Sequence, residues 1–275
     1  MKTLCTLCPR RCELNRDQRG FCRARINRGG QIVSENYGRL TAIALDPIEK
    51  KPLYHFYPGN KILSVGSYGC NLRCPFCQNH DIAQVGEDAV PWRFVSPDEL
   101  VGKAMELIPA GNIGIAYTYN EPLISAEYVL DCAKAARRYH LKNVLVTNGT
   151  ASEATLEALL PWIDAMNIDL KGFSQEFYDK VGGDFETVRQ TIRKARGRTH
   201  IELTKLVVPG MNDTEEDTEA MAKWIAALDP GIPLHVSRFF PRYRMSDLAP
   251  TPIATVRRMA DVAKKYLKNV YVGNC

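Results

Sequence analysis

Gly66-Ser67-Tyr68-Gly69-Cys70-Asn71-Leu72-Arg73-Cys74-Pro75-Phe76-Cys77-Gln78-Asn79 is the stretch whose reading decides the fold. It comes after Ile62-Leu63-Ser64-Val65, an apolar run of the length of a buried strand. Three cysteines spaced C-x3-C-x2-C at a strand end are one thiolate short of what a cubic iron–sulfur cluster takes. They would hold three irons and leave the fourth with open positions, as a catalytic metal requires. The bland alternative is a zinc knuckle with its fourth ligand elsewhere.

At 275 residues the chain suits one large domain, alone or with an appendage. Its apolar and charged fractions are those of an ordinary globular protein. No run is long and apolar enough to span a bilayer, and Met1-Lys2-Thr3-Leu4-Cys5 lacks the apolar core of a signal peptide, so a cytoplasmic protein is expected. Seven of the nine cysteines fall in two tight groups, and in a reducing compartment such grouping predicts metal ligands rather than disulfides. The net charge of +5 is concentrated at the start, where eight Lys and Arg face only Glu13 and Asp17 in the first thirty residues. Arginines there would offset the negative charge of a thiolate–metal centre, or dock an acidic electron carrier or RNA.

Residues 1–60 read as an appendage and lead-in. Cys5-x2-Cys8-x3-Cys12-x9-Cys22 is a complete four-thiolate set, punctuated by Pro9 and Gly20, with too little apolar sequence around it to fold by packing alone. Zinc and a second iron–sulfur cluster both remain open from the spacing. Gln31–Val33 and Leu40–Leu45 read as two strands joined by a hairpin-like turn at Asn36-Tyr37-Gly38. The Pro-rich segment Asp46–Gly59 is extended, and its Tyr54-His55-Phe56-Tyr57 is expected to pack against the larger domain, residues 61–275.

In that domain, short apolar runs alternate with helical periodicity, the pattern of βα repeats on a parallel sheet. Strands are predicted at Ile62–Ser67, Ile113–Tyr119, Asn143–Thr147, Met166–Leu170, Ile201–Val208, Leu234–Phe239 and Val270–Val272. Capping signals at Ser96-Pro97-Asp98-Glu99, Thr214 and Thr251-Pro252 open helices between them. Six βα units and a last strand make an α/β fold, a partial (β/α)6 TIM barrel open at one side, with chemistry at the carboxyl ends of the strands. Polar residues gather at those ends: the three cysteines, Tyr117-Thr118-Tyr119-Asn120-Glu121-Pro122, Thr147-Asn148-Gly149, Asp169-Leu170-Lys171, and His235 with Arg238 and Arg242. Tyr117 and Tyr119 alternate with Thr118 and are expected to share a face.

The C-x3-C-x2-C spacing, with Phe76 ahead of the last cysteine, resembles that of the radical S-adenosylmethionine (SAM) enzymes. The barrel as a whole is similar to the pyruvate formate-lyase activating enzyme group, the activases of glycyl-radical enzymes. The N-terminal cysteine segment, Asp46-Pro47-Ile48-Glu49-Lys50-Lys51-Pro52-Leu53-Tyr54-His55-Phe56 and Tyr117–Pro122 resemble a narrower set, the AmmeMemoRadiSam-system radical SAM enzymes. The resemblance implies that Cys70, Cys74 and Cys77 bind a 4Fe–4S cluster and that Phe76 lies beside the SAM adenine. It places Glu121 at the end of the family's Gly-Gly-Glu segment, with both glycines replaced by Tyr119 and Asn120. It also puts Thr147 and Asn148 beside the SAM methionine group, Asp169 and Lys171 in an Asp-x-Lys motif, and His235 at the SAM site. The family's strand-five arginine falls at Thr204, with Lys205 adjacent, which leaves open whether Lys171 or Lys205 would hold the SAM carboxylate.

The implied activity is reductive cleavage of SAM and hydrogen abstraction from a substrate, with no side-chain acid or base required. A partner protein is the substrate that the activase resemblance implies, and a small molecule or RNA is the alternative. The implied partners are an electron donor such as flavodoxin or ferredoxin and AMMECR1-like and Memo-like proteins, with no DNA and no membrane. A reading of another class is a non-catalytic, metal-stabilised RNA-binding protein, which would bind RNA in a salt-dependent way and leave SAM intact.

Overall fold

The computed structural model describes residues 2–275. In chain order the strands are β1 (Thr3–Leu4), β2 (Glu13–Leu14), β3 (Arg25–Arg28), β4 (Gln31–Ser34), β5 (Arg39–Leu40), β6 (Ala42–Pro47), β7 (Lys61–Gly66), β8 (Arg93–Phe94), β9 (Asn112–Tyr117), β10 (Lys142–Thr147), β11 (Ala165–Asp169), β12 (His200–Val207), β13 (Leu234–Arg238) and β14 (Val270–Gly273). From Ile62 onward β7 is buried on both faces, as a central strand covered by helices must be. The large sheet runs β14-β13-β12-β11-β10-β9-β7-β6. All its pairings are parallel except β6 against β7, and β14 and β6 are its two free edges. This is the α/β partial barrel on a mainly parallel sheet that the alternating pattern predicts.

The helices between strands begin where the sequence chemistry places them. Ser96 closes a capping box with Glu99 ahead of Pro97–Glu106, and the Thr214 side chain caps Glu215–Leu228. Thr251 departs from its expected role. Its hydroxyl donates to the Val207 carbonyl at 2.6 Å, and the helix Ile253–Lys264 starts without a side-chain cap. An additional helix, Gln175–Val181, is capped by Ser174 and stopped by Gly182 at φ +70°.

The expected hairpin of residues 31–45 is not formed. β4 turns back on β3 across Gly29 and Gly30, both at positive φ, whereas β6 leaves to pair with β7. An edge strand of the large sheet therefore comes from the chain before residue 61. The Asp46–Asn60 segment then enters the amino end of the barrel, where Ile48, Leu53 and Phe56 pack on the inward-facing Ile62, Ala116, Val144 and Ala165.

A buried carboxylate anchors that plug. Glu202, on β12, accepts hydrogen bonds from the Tyr54 and His55 amides at 3.0 and 2.8 Å. Its oxygens also contact the His200 and His235 imidazoles at 2.9 and 2.7 Å. Burial opposes ionisation, but the histidines and amides outweigh it and hold the Glu202 carboxyl down at about 2 from an ordinary 4.5. A depressed carboxyl contributes stability that is present above pH 4.5 and lost as pH falls through about 2. Glu202→Ala should cost about 3–5 kcal/mol in a denaturant titration, because it strands buried polar partners. Glu202→Gln keeps an acceptor for only one of the two amides, which sit on different oxygens, and turns its NH2 toward the other, so it should also destabilise, though less than alanine.

Candidate active site

The loop after β7 is shaped by groups that no side chain could replace. Gly69 sits at φ +86°, and a Cβ there would lie 2.4 Å from the Cys22 carbonyl oxygen. Around it, Asn120 Nδ2 donates to the Tyr68 and Gly69 carbonyls at 3.2 and 3.1 Å, and Asn120 Oδ1 accepts from the Ser67 amide at 3.0 Å. Asn71 Nδ2 reaches the Thr150 carbonyl at 2.6 Å. The Arg73 guanidinium gathers the carbonyls of Cys70, Leu72 and Phe21. Cys70, Cys74 and Cys77 emerge from this scaffold around one cavity of 290 Å³ at the carboxyl end of the sheet. Burial pushes the Cys74 thiol up to about 12 and raises Cys70 and Cys77 as well, so a bound metal is what would favour their thiolate forms.

The same cavity is lined by Phe76, Glu121, Thr147, Asn148, Asp169 and Lys171. Glu121 is the hub. Its Oε1 accepts from Thr147 Oγ1 at 2.6 Å and the Leu123 amide at 3.0 Å, and its Oε2 from the Asn148 amide at 2.7 Å. Burial nevertheless pushes its pKa up to about 7. Asn148 Nδ2 donates to Asn71 Oδ1 at 2.9 Å and lies 3.7 Å from Cys70 Sγ, which ties the β10 end to the cysteine loop. Lys171 Nζ pairs with Asp169 Oδ2 at 2.8 Å. Burial disfavours that ammonium, but the Asp169 carboxylate beside it raises its pKa above the ordinary lysine value.

Strand alternation separates the two lysines left open by the sequence. Thr204 lines the cavity, whereas Lys205 is fully buried on the other face and meets Asp217 at 2.5 Å. His235 is not brought to the cavity. It precedes the cavity-lining Ser237 by two residues, about 7 Å deeper along β13. There it contacts Glu202 and packs edge-on against Tyr54. Arg238 turns away to the Thr251 carbonyl at 2.7 Å.

Tyr119 is the residue that sequence reasoning misplaced. β9 ends at Tyr117, whose side chain is buried beside Asn143, and Tyr119 adopts φ +69°, so the two rings do not share a face. Tyr119 lines the cavity with its hydroxyl donating to Asp46 Oδ2 at 2.6 Å and Lys51 Nζ 4.7 Å from its ring centroid. Lys51 is itself paired with Asp46 at 2.8 Å. The lead-in thus holds a tyrosine in a backbone conformation that usually demands glycine. The signal was present in sequence as the two departures from Gly-Gly-Glu at Tyr119 and Asn120.

The N-terminal cysteine segment lies against the same loop, with the Cys22 carbonyl facing Gly69 and Cys8 lining a pocket with Asn71. Cys5 and Cys22 are buried, and Cys8 and Cys12 are partly exposed. Among the described residues no three Cys, His, Asp or Glu side chains converge closely enough to hold a single metal ion. A 4Fe–4S cube makes a different demand, since its thiolates sit on separate irons. Three thiols lining one cavity suit that demand.

The family model of the radical SAM superfamily matches residues 64–225, and the chain belongs to that superfamily. Over 277 aligned residues it is 40% identical to the uncharacterized protein MJ0808 of Methanocaldococcus jannaschii, covering 99% of this chain and 81% of that one. It is 23% identical over 163 residues to pyruvate formate-lyase 1-activating enzyme of Escherichia coli K12, covering 57% of this chain and 65% of that enzyme. Streptococcus suis SuiB, solved with S-adenosylmethionine bound, superposes with a TM-score of 0.61 over 78% of this chain and 52% of its own at 14% identity, a likeness of fold alone. The chain is therefore a radical SAM enzyme, related to glycyl-radical activating enzymes at low identity. Membership implies a 4Fe–4S cluster and SAM. Among the described residues no helix is long and apolar enough to cross a membrane.

Proposed function

We propose that this protein is a cytoplasmic radical SAM oxidoreductase that abstracts hydrogen from a partner protein, in the manner of a glycyl-radical activase. One observation carries the reading: Cys70, Cys74 and Cys77 share a single cavity with Glu121, Asn148 and the Asp169–Lys171 pair at the strand ends. The three cysteines hold the 4Fe–4S cluster. Once reduced by a flavodoxin- or ferredoxin-like donor, a cluster held there would supply the one electron needed for reductive cleavage of SAM. Phe76 packs beside the adenine, Glu121 and the Thr147–Asn148 strand end receive the SAM ammonium, and Lys171 receives its carboxylate. Tyr119 and Asn120 fill the space that the paired glycines leave open in the related motif. His235 is left out of this set, because it is committed to Glu202 at the amino end of the barrel. Residues 1–60 act as a metal-binding appendage and lead-in to the barrel of residues 61–275, with Cys5, Cys8, Cys12 and Cys22 as the metal set. AMMECR1-like and Memo-like proteins are the partner proteins this reading names.

The two lysines give a direct check. Lys171→Met should weaken SAM binding about 10- to 100-fold in equilibrium titrations, the range expected for one charge-assisted hydrogen bond. Lys205→Met should leave SAM affinity within about twofold. It should instead lower stability by about 3 kcal/mol, since Asp217 loses its buried partner.

The substrate class is tested by anaerobic turnover with reductant and SAM, after addition of deuterium-grown host lysate separated by size. Deuterium in 5′-deoxyadenosine from the macromolecular fraction supports the protein substrate. Deuterium from the small-molecule fraction alone overturns it in favour of a metabolite.

A further inference from the structure

We propose that Asp46 is a positioning residue for the SAM site, acting by holding Tyr119 in a left-handed backbone conformation. This rests on the reading of Glu121 and the Thr147–Asn148 strand end as the place where SAM binds. The conflict lies in the sequence itself. β9 ends at Tyr117, and Tyr119 turns the chain at φ +69°, a region that glycine enters freely and tyrosine does not. A residue keeps such a conformation only where its surroundings over-determine it, and such residues gather at functional sites.

The surroundings that fix Tyr119 come from the lead-in. Asp46 is buried on the edge strand β6, and its Oδ2 accepts from the Tyr119 hydroxyl at 2.6 Å. The same oxygen pairs with Lys51 Nζ at 2.8 Å, and Lys51 is only 3% exposed. That ammonium stands 4.7 Å from the Tyr119 ring centroid, so one ion pair meets both the tip and the face of the ring. Room for the side chain is made on β7, where a Cβ on Gly66 would lie 2.8 Å from the Tyr119 Cβ.

Three groups of the cavity depend on that one torsion. The Tyr119 carbonyl accepts from Asn79 Nδ2 at 2.7 Å, just beyond Cys77. Asn120 reaches back to the Ser67 amide and the Tyr68 and Gly69 carbonyls, just ahead of Cys70. Glu121 is turned toward Thr147 and Asn148. Rotation of Tyr119 to negative φ would carry all three out of register together. Tyr119 lines the cavity and Asp46 does not, so the influence of Asp46 on SAM passes through Tyr119.

The test is equilibrium SAM titration of the cluster-loaded, unreduced full chain, which reads binding without turnover; circular dichroism checks the fold of each variant. Tyr119→Phe keeps the ring and the Asp46–Lys51 pair but removes the hydroxyl. Tyr119→Gly removes the whole side chain and, with it, the need for an anchor. SAM affinity should fall about 3- to 10-fold in Tyr119→Phe, the worth of one hydrogen bond, and by less in Tyr119→Gly. A role in packing alone gives the opposite order, since phenylalanine fills the space and glycine empties it. Asp46→Ala should weaken SAM binding at least as much as Tyr119→Phe does, yet change it less than about twofold in the Tyr119→Gly background. If Asp46→Ala strands Lys51 and fails to fold, the two variants at Tyr119 decide alone. Tyr119→Phe binding SAM as tightly as Tyr119→Gly, or an equal loss from Asp46→Ala in both backgrounds, overturns the proposal and leaves the SAM site standing. A cluster-loaded, unaltered chain that does not bind SAM overturns both.

Discussion

Cys74→Ala should remove about four irons per chain and, with them, all SAM cleavage above background. The effect is total rather than graded because three thiolates already leave one iron without a protein ligand. Loss of another leaves too few to retain the cube. Cys74 is the most enclosed of the three: it lies in the main core, and burial pushes its thiol up to about 12. An alanine there fits the space without adding charge, so the apo fold should persist and circular dichroism should remain close to that of the unaltered chain. Iron analysis and visible absorption read the loss directly.

Glu121→Ala should produce the second-largest effect, through position rather than redox chemistry. Its carboxylate satisfies Thr147 Oγ1 and the amides of Leu123 and Asn148, so alanine leaves three buried donors without acceptors. At about 1–3 kcal/mol for each stranded group, partly relieved by water, the protein should lose about 3–5 kcal/mol of stability. SAM affinity should fall at least about 100-fold, since the proposed ammonium acceptor and the strand end it orients go together. Glutamine is not a mild replacement. Its NH2 must face a donor on one side, whichever way the amide is turned. The pH dependence has a definite sign. Burial raises the Glu121 carboxyl from 4.5 to about 7, so its protonated form contributes stability that is full below pH 4.5 and lost as pH rises through about 7. Binding of the SAM cation runs the other way: affinity should rise as pH increases through about 7, and Glu121→Gln should flatten that rise.

What was legible in the chain was what is local. The spacing of Cys70, Cys74 and Cys77, the apolar strand before them and the polar residues after later strands all depend on short-range periodicity, and the cavity gathers them as expected. Phe76, Glu121, Thr147, Asn148, Asp169 and Lys171 line it for the same reason: each lies in or near a loop at the carboxyl end of a strand. What the sequence hid depended on long-range contacts. The depth of His235 reflects Tyr54 and Glu202, which meet across 148 residues. Tyr119 adopts a left-handed conformation with its hydroxyl on Asp46, 73 residues earlier, and period-two alternation fails at that point. The turn at Gly29-Gly30 won over the one at Asn36-Tyr37-Gly38, freeing β6 to cover the edge of β7. Helix Gln175–Val181, only seven residues long, was too short for its periodicity to stand out.

The most direct test of the central claim is anaerobic incubation of the cluster-loaded protein with SAM and a low-potential reductant, counting methionine and 5′-deoxyadenosine. The account predicts the two products in equal amounts, dependent on reductant and absent from Cys74→Ala. Product from the intact protein no greater than from Cys74→Ala would contradict it.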